Sequence, residues 1–304
     1  MNGLQVGFMA GVASRKDLES LEAQAIDSLW TGGHIASRNA GPEAIASLLR
    51  LAALTERVRI GTSIVLLPLY PPAIVAKQVA EADRMTEGRV TLGVGIGGEY
   101  AQEFSACQVP IRERGKRTDE AIPLIRKLWS GEVVTHTGPF YPMTDVKMHP
   151  SPAQLGGPPI VVAGRKPAAM RRAALLGDGW MPYLYSPERY ADSVRTIKDV
   201  AAEAGRILDT FEWFAFLFIN VNPDGRTARQ EAAAFLGGNY NQDFEAMIER
   251  VAAVGTPAEV GSRIQAFVDA GARHLIFTPA IRGDASTIRR RLLEEVLPTV
   301  RVPL

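Results

Sequence analysis

Short apolar runs alternate along this chain with longer segments in which apolar residues recur every three or four positions, as at Leu18, Leu21 and Ala25. The runs are typical of buried strands, and the longer segments are typical of helices with one buried face. The eight runs that we interpret as strands are Leu4 to Met9, Ser28 to Thr31, Val58 to Leu66, Val90 to Val94, Ile160 to Ala163, Trp180 to Tyr183, Phe214 to Val221 and Arg273 to Phe277. Strands joined through helices lie parallel, and a closed ring of eight leaves no strand edge unpaired. The alternation therefore predicts a single (β/α)8 TIM barrel, one domain spanning residues 1–304.

Residues at the predicted helix boundaries support this interpretation. Ser186 and Thr256 each precede a proline, which places a capping hydroxyl before the first helical residue, and Glu259 completes a capping box with Thr256. Glycines, which accept the left-handed turn that ends a helix, stand at Gly88, Gly131 and Gly271.

One stretch after the fourth strand, residues 131–159, has no helical period. Its β-branched and aromatic residues flank Gly138-Pro139, and we interpret it as an excursion that contains a short hairpin.

Composition limits the classes of function. The chain has 34 Lys and Arg against 33 Asp and Glu, a formal net charge of +1, so no basic field is available to attract nucleic acid. Cys107 is the one cysteine, and the four histidines lack the close spacing of a zinc site. The beginning of the sequence has no charged leader, and no apolar run is long enough to span a membrane. We expect a reduced, cytoplasmic protein without metal that contacts neither nucleic acid nor membrane.

Active sites of such barrels lie at the carboxyl ends of the strands, where this sequence is rich in glycine. Gly93, Gly95 and Gly98 match the dinucleotide-binding fingerprint, but that motif belongs to the first crossover of an open sheet, and Glu99 would repel a pyrophosphate. Two interpretations stay open: the glycines relieve crowding at the barrel mouth, or they let a flat ring system approach bare backbone. We favour the second.

Together these segments resemble the bacterial-luciferase-like flavin and deazaflavin oxidoreductases. The resemblance covers most of the chain, and its motifs are fairly specific as a set although each alone is weak. The segments that carry it are Trp30 to His34, Gly61 to Leu66, the helix from Pro72 to Gly88, Leu92 to Glu99, Ala163-Gly164 and Gly177-Asp178-Gly179.

The resemblance points to the branch that uses the deazaflavin coenzyme F420. It implies a histidine after strand two, here His34, and an acid after the strand-four glycines, here Glu99. It also implies a non-prolyl cis peptide at Ser63-Ile64 that backs the ring of the coenzyme. The residues that it implies around that ring are Ser63, Ile64, Gly95, Gly97, Gly98 and Ala163.

A deazaflavin carries a hydride, so the protein must position the substrate and manage one proton. Imidazole exchanges a proton near neutral pH, which makes His34 the first candidate for general acid or base. Glu99 is the second, because a carboxyl partly buried against glycines and a ring holds a proton more readily than in water. The alternatives are a packed histidine bonded to a carbonyl and an acid that stabilises a helix start.

The sequence departs from the family pattern immediately before the histidine. Many relatives have Asp there, whereas this chain has Gly33, so a carboxylate that could orient His34 is missing. The nearest acid along the chain is Asp27.

The phosphate of the coenzyme needs amides or cations. Gly164, Arg165 and Lys166 at the head of a helix are the best candidates, and Arg38 could reach the acidic tail of the coenzyme. The basic run from Arg112 to Arg117 is a further anion candidate, but we favour its interpretation as the solvated start of a helix.

The leading hypothesis is an oxidoreductase that moves a hydride between F420 and a small, largely apolar organic substrate at a CH–OH, C=C or C=N group. Two alternatives stay open: a monooxygenase that uses reduced FMN, and a flavin- or deazaflavin-binding protein that has lost the chemistry. The resemblance also implies a homodimer that packs helices near strands two and three, with which Ala44, Leu48 and Leu51 are compatible.

Overall fold

The computed structural model describes residues 3–11, 13–37 and 41–303, which group into two compact units. One unit comprises residues 10–180, and the other comprises residues up to 9 together with those from 181 onward. The strands are β1 (Gln5–Met9), β2 (Ser28–Thr31), β3 (Arg59–Thr62), β4 (Val65–Leu66), β5 (Val90–Gly95), β6 (Val133–His136), β7 (Met143–Lys147), β8 (Ile160–Ala163), β9 (Gly179–Met181), β10 (Glu212–Val221), β11 (Ala253–Gly255) and β12 (His274–Pro279). The α-helices are α1 (Arg15–Glu22), α2 (Ala44–Leu54), α3 (Pro72–Met85), α4 (Ala101–Ala106), α5 (Arg114–Trp129), α6 (Pro167–Leu176), α7 (Pro187–Glu203), α8 (Gly225–Tyr240), α9 (Ile248–Val251), α10 (Pro257–Asp269) and α11 (Ser286–Arg291).

In the unit of residues 10–180, four parallel strands lie side by side in the order β2, β3, β5, β8. Thr31 is level with Thr62, and Val94 is level with Val162. Every residue of β5 is buried, as expected of a parallel strand covered on both faces. Because the strands run the same way, the segments that follow them all emerge at one edge of the sheet.

The predicted strand from Val58 to Leu66 is wrong as a continuous element. β3 ends at Thr62 and β4 begins at Val65, and the peptide bond between Ser63 and Ile64 is cis. β4 then pairs with the end of β5, where Val65 is level with Val94. The cis peptide that the family resemblance implied is therefore present, and it separates the two short strands.

The excursion after β5 contains the predicted hairpin, formed by β6 and β7 as an antiparallel pair. A carboxylate of α5 fastens it: Glu120 accepts hydrogen bonds from Tyr141 N at 2.9 Å and Phe140 N at 3.2 Å, and its Oε1 lies 3.1 Å from His136 Nε2. Arg117, also on α5, stacks over the Phe140 ring with 4.9 Å between the guanidinium carbon and the ring centroid.

The basic run from Arg112 to Arg117 is the start of this helix, as we favoured.

The Gly177-Asp178-Gly179 motif lies at the other edge of the same unit, where β8 begins. The Asp178 carboxylate accepts hydrogen bonds from Ile160 N at 2.8 Å and from the Arg126 guanidinium at 2.5 Å. The motif therefore links α5 to the amino end of β8, on the side opposite the segments predicted to carry the chemistry.

In the second unit the strand order is β11, β10, β12, β1, and these neighbours are also parallel. β10 is long enough to pair with β12 from Phe214 to Ile219 and with β11 from Ile219 to Val221. β11 was not predicted, because three residues are too few to show the alternation of side chains that marks a strand.

The helix boundaries follow the predicted capping residues. Ser186 Oγ accepts a hydrogen bond from Arg189 N at the start of α7, and Thr256 with Glu259 forms the predicted capping box at the start of α10. The glycines predicted to end helices all have positive φ: Gly88 at 93°, Gly131 at 76° and Gly271 at 106°.

The residues that we considered for a dimer contact do not offer such a surface. Ala44, Leu48 and Leu51 of α2 are at most 1% exposed, because the chain covers them itself. The homodimer stays a prediction, and these three residues do not support it. No α-helix within the described ranges is both long and apolar enough to cross a membrane.

The capping box predicts a pH dependence of stability. The Thr256 backbone N–H, which donates to Glu259 Oε2 at 2.7 Å, and the Arg229 guanidinium together lower the pKa of Glu259 to about 2. A carboxyl with a lowered pKa stabilises the folded state above its unfolded value and loses that contribution as the pH falls through the folded value. We expect Glu259→Gln to lower the free energy of unfolding near neutral pH, with a difference from the parent that shrinks between about pH 5 and 2. Urea unfolding at a series of pH values measures this difference.

Thr256→Ala is the matched control, because it removes the hydroxyl but keeps the backbone N–H that contributes most. It should keep most of the pH dependence of the parent. A difference between parent and Glu259→Gln that stays constant down to about pH 2 would contradict this account.

Candidate active site

The segments that follow β2, β3, β5 and β8 meet at the carboxyl edge of the sheet in the unit of residues 10–180. They are residues 32–34, 63–64, 96–99 and 164–166. They hold the predicted site residues apart from Gly95 and Ala163, which end β5 and β8, and Arg38, which lies outside the described residues. Residues that are far apart in the sequence, from His34 to Lys166, therefore meet at one edge.

His34 is paired with a buried carboxylate that the sequence analysis did not select. Its Nδ1 lies 3.1 Å from Glu103 Oε2 and 3.2 Å from Glu103 Oε1. Glu103 Oε1 also accepts hydrogen bonds from Ile35 N at 2.7 Å and from Ala36 N at 3.1 Å. The side chain of Glu103 is fully buried, whereas that of His34 is 32% exposed. One carboxylate thus holds both the imidazole and the backbone after it.

The short helix α4 places Glu103 at this position. Phe104, the next residue, is buried in an apolar cluster with Leu66 and Leu69, which anchors the helix beneath the segment after β2. Tyr100, just before the helix, packs edge-on against the imidazole with 5.0 Å between ring centroids. No local pattern marks Glu103, because its partner His34 precedes it by 69 residues.

The structure corrects the reason that we gave for selecting Glu99. We expected a carboxyl partly buried against glycines, but Glu99 is exposed, as is Gly98. The partial burial for which we selected it is therefore absent. A role for Glu99 in proton transfer stays a prediction, and the buried acid at this edge is Glu103.

Gly33, the departure from the family pattern, has a steric cause. A Cβ placed on Gly33 would lie 1.8 Å from the carbonyl oxygen of Pro42 and 3.1 Å from Ala44 N. The neighbouring Gly32 is similarly restricted, since its Cβ would lie 2.1 Å from the carbonyl oxygen of Ser63. The backbone leaves no room for an Asp before His34, so the carboxylate beside the histidine comes from Glu103.

The glycines at the end of β5 do not all have the same role. Gly95 fits the first interpretation, relief of crowding, and Gly97 and Gly98 remain candidates for the second, contact with a flat ring. A Cβ on Gly95 would lie 2.0 Å from Ile64 Cδ1, so this glycine relieves crowding by a neighbouring side chain. Gly97 and Gly98 instead have φ of 61° and 115° and are partly to fully exposed. A Cβ on Gly97 would lie 3.3 Å from Leu66 Cδ2, and one on Gly98 would lie 3.1 Å from Arg114 Nε. Contact between these residues and a flat ring stays a prediction.

The head of α6 has the features of an anion site. Gly164 has φ of 141°, and its carbonyl oxygen accepts a hydrogen bond from Trp180 Nε1 at 2.9 Å. Lys166 occupies the N-cap position, and its side chain makes no capping hydrogen bond. Pro167 has no N–H, and the N–H groups of Ala169 and Met170 bond to the Lys166 carbonyl oxygen. What this end offers an anion is the positive end of the helix with exposed Lys166 and partly exposed Arg165.

Two other ionisable groups near Glu103 are unsuited to accept a proton. Burial and a hydrogen bond of 2.5 Å to Glu43 Oε1 raise the pKa of Tyr70 far above its usual range. Burial, and then the charge of Glu103, raise the pKa of the Cys107 thiol. Both groups stay protonated at neutral pH, which leaves His34 as the candidate proton acceptor held by a buried carboxylate at this edge.

No group of three or more His, Cys, Asp or Glu side chains is arranged to hold a metal ion in the part of the chain that the structure describes.

A family model and a curated relative each match most of this chain. Residues 18–274 match the family model described as luciferase-like monooxygenase. The F420-dependent glucose-6-phosphate dehydrogenase of Microbacterium testaceum is 33% identical over 294 residues, which cover 89% of this chain and 84% of that protein.

Two solved structures share the fold. An F420-dependent secondary alcohol dehydrogenase in complex with an F420-acetone adduct superposes with a TM-score of 0.82 at 23% identity, covering 98% of this chain and 99% of that one. The monooxygenase RslO1 from Streptomyces bottropensis has a TM-score of 0.80 at 25% identity, covering 97% and 99%. The likeness confirms the predicted fold class, the TIM barrel of parallel strands with helices between them.

The steric account of Gly33 predicts that the Asp common in relatives cannot be restored here. We expect Gly33→Asp to lower the free energy of unfolding by at least about 2 kcal/mol, because the side chain forces the backbone at Pro42 to move. Urea unfolding measures the loss.

Gly115→Ala is the control for this substitution. Gly115 lies inside α5, and its Cβ would meet nothing closer than Arg172 Nη2 at 3.5 Å. We expect this variant to be at least as stable as the parent, because Ala favours a helix over Gly. If Gly33→Asp had the same free energy of unfolding as the parent, the backbone near Pro42 could move without loss of stability. That result would contradict the steric explanation for Gly33.

Proposed function

The chain belongs to the luciferase-like monooxygenase family, and we propose that it is an F420-dependent oxidoreductase that dehydrogenates a hydroxyl-bearing carbon of a small organic substrate. Its coenzyme is F420. The proposal rests on one observation above the others: an imidazole at the carboxyl edge whose Nδ1 is bound by a buried carboxylate, which leaves Nε2 for the substrate.

The residues at this edge fit the parts of that coenzyme. A flat ring needs backbone without side chains, which Gly97 and Gly98 supply beside Ser63 and Ile64. Gly95 and Ala163 lie at the strand ends next to them. When bound, F420 accepts a hydride at carbon and so supports two-electron chemistry without activating oxygen.

The phosphate of the coenzyme fits the head of α6. The positive end of the helix lies here, and Arg165 and Lys166 supply positive charge. Arg38 remains a candidate for the acidic tail of the coenzyme.

His34 performs the proton transfer in this proposal. In the oxidation of a CH–OH group, for which the bound coenzyme would supply the hydride acceptor, His34 Nε2 would accept the hydroxyl proton as the carbon–oxygen double bond forms. The buried carboxylate of Glu103 stabilises the imidazolium that results. An acceptor of this kind matches the oxidation of a CH–OH group, which is also the reaction named for the two dehydrogenases to which the chain is similar.

A monooxygenase that uses reduced FMN is the second candidate function. The family description and the likeness to RslO1 favour it, since both name monooxygenases on this fold. The remaining alternative, a flavin- or deazaflavin-binding protein without catalytic activity, is no longer supported by the observation that suggested it. That hypothesis rested on the missing carboxylate before His34, and Glu103 supplies a carboxylate to the same imidazole.

Coenzyme choice separates the two candidates. We expect the purified protein to bind oxidised F420 with a Kd in the micromolar range or below, and FMN at least tenfold more weakly. Fluorescence titration with F420, FMN, FAD and NADP measures all four affinities under one condition. Tighter binding of FMN than of F420, together with oxygen consumption when reduced FMN is supplied, would reverse the assignment.

The phosphate site predicts a selective loss of affinity. We expect Arg165→Ala combined with Lys166→Ala to raise the Kd for F420 about tenfold or more, because charge-assisted hydrogen bonds to a phosphate are lost. The phosphate-free deazaflavin chromophore should bind parent and variant equally.

Lys116→Ala is the matched control for this pair. It removes an exposed cation from the basic run at the start of α5, the competing anion candidate. Its Kd for F420 should stay within about twofold of the parent. A loss of affinity in Lys116→Ala but not in the α6 variant would move the phosphate to α5.

A further inference from the structure

We infer that Glu103 is a positioning residue that fixes the tautomer of His34, holding the proton on Nδ1 and leaving Nε2 as an acceptor. The inference concerns the imidazole itself, and its consequence for turnover rests on the proposed function.

Both oxygens of the carboxylate lie close to His34 Nδ1, Oε2 at 3.1 Å and Oε1 at 3.2 Å, and Oε1 also binds the backbone. Oε1 accepts the backbone N–H of Ile35 at 2.7 Å and of Ala36 at 3.1 Å, so it is committed as an acceptor. Oε2 makes the shorter contact to the ring, 3.1 Å from His34 Nδ1. An ionised carboxylate can only accept, so a hydrogen bond to it requires the proton on Nδ1. In the neutral imidazole, Nε2 then carries the lone pair.

Burial separates the roles of the two side chains. Glu103 is fully buried, whereas the His34 side chain is about one-third exposed, at 32%. The carboxylate cannot contact a substrate at this edge and must act through the imidazole. Tyr100 restricts the ring further by its edge-on contact.

The backbone contacts give the carboxylate a second hold on the same segment. The backbone N–H groups of Ile35 and Ala36 bind the same carboxylate that contacts the imidazole. Glu103 therefore fixes both the orientation of His34 and the backbone that follows it. A carboxylate on the preceding residue could not do this here, since Gly33 has no space for a side chain. The function of the missing Asp is thus carried by a residue from a different part of the chain.

Replacement of Glu103 by Gln tests this assignment, because it reverses the hydrogen-bonding character of one atom. The amide oxygen should stay with the two backbone N–H donors, which places the NH2 group against His34 Nδ1. A donor at that position requires Nδ1 to accept, so the proton moves to Nε2. The variant keeps the size of the side chain and the backbone contacts but presents the wrong tautomer.

Nuclear magnetic resonance of 15N-histidine protein without coenzyme reads the tautomer directly. With four histidines in the chain, His34→Ala assigns the signal. We expect the proton of neutral His34 on Nδ1 in the parent and on Nε2 in Glu103→Gln. A parent signal with the proton on Nε2 overturns the inference, and this measurement does not depend on whether the variant folds.

Turnover supplies the second measurement. With F420 and a substrate, we expect kcat of Glu103→Gln to fall about 100-fold or more, while KM and the Kd for F420 stay within about twofold. An unchanged tautomer in the variant overturns the inference, whereas a reversed tautomer with unchanged kcat contradicts the proton transfer by His34 in the proposed function.

Glu120→Gln is the matched control, because the chain contains a second carboxylate with the same set of partners. Glu120 binds His136 and the backbone N–H groups of Phe140 and Tyr141, at the hairpin excursion. Its replacement should change the His136 signal and leave the tautomer of His34 unchanged.

The two proposals fail in different ways. A parent protein that holds the proton on Nδ1 of His34 but does not bind F420 would contradict the proposed function and leave the role of Glu103 toward the imidazole intact. A parent that binds F420 with the proton on Nε2 would do the reverse.

Discussion

A carboxylate taken out of water must be matched by donors, and the candidate site is arranged around the donors that Glu103 finds. It is fully buried in the first turn of a short helix, and its partners are the imidazole of His34 and the two backbone N–H groups that follow His34. The segment after β2 is therefore tied to the segment after β5. Apolar packing of Phe104 against Leu66 and Leu69 holds the acid in place for that contact.

Close approach of the backbone is the second constraint on this edge. A Cβ on Gly93 would lie 1.9 Å from the carbonyl oxygen of Thr62, and one on Gly33 would lie 1.8 Å from that of Pro42, whereas one on Gly95 would meet the side chain of Ile64. These glycines serve the packing of the protein itself. Gly97 and Gly98, beyond the strand, have positive φ and are more exposed, and they remain the candidates for contact with a flat ring.

The pair of Glu120 and His136 shows that a contact between histidine and carboxylate does not by itself mark a site. Its partners match those of Glu103 and His34 in kind, yet it fastens a hairpin to α5. The difference is location. His34 follows β2 at the carboxyl ends of parallel strands, the edge at which active sites of such barrels lie.

The sequence by itself determined most of the strands, the helix caps and the fold class, and the family resemblance added the candidate His34 and the cis peptide at Ser63-Ile64. Periods and caps depend on residues a few positions apart, which a sequence displays. Only the tertiary structure decided that Glu99 is exposed, that Pro42 leaves no room beside Gly33, and that Glu103 holds the histidine. His34 and Glu103 are separated by 69 residues, and the packing of separate elements, which no local pattern encodes, brings them into contact.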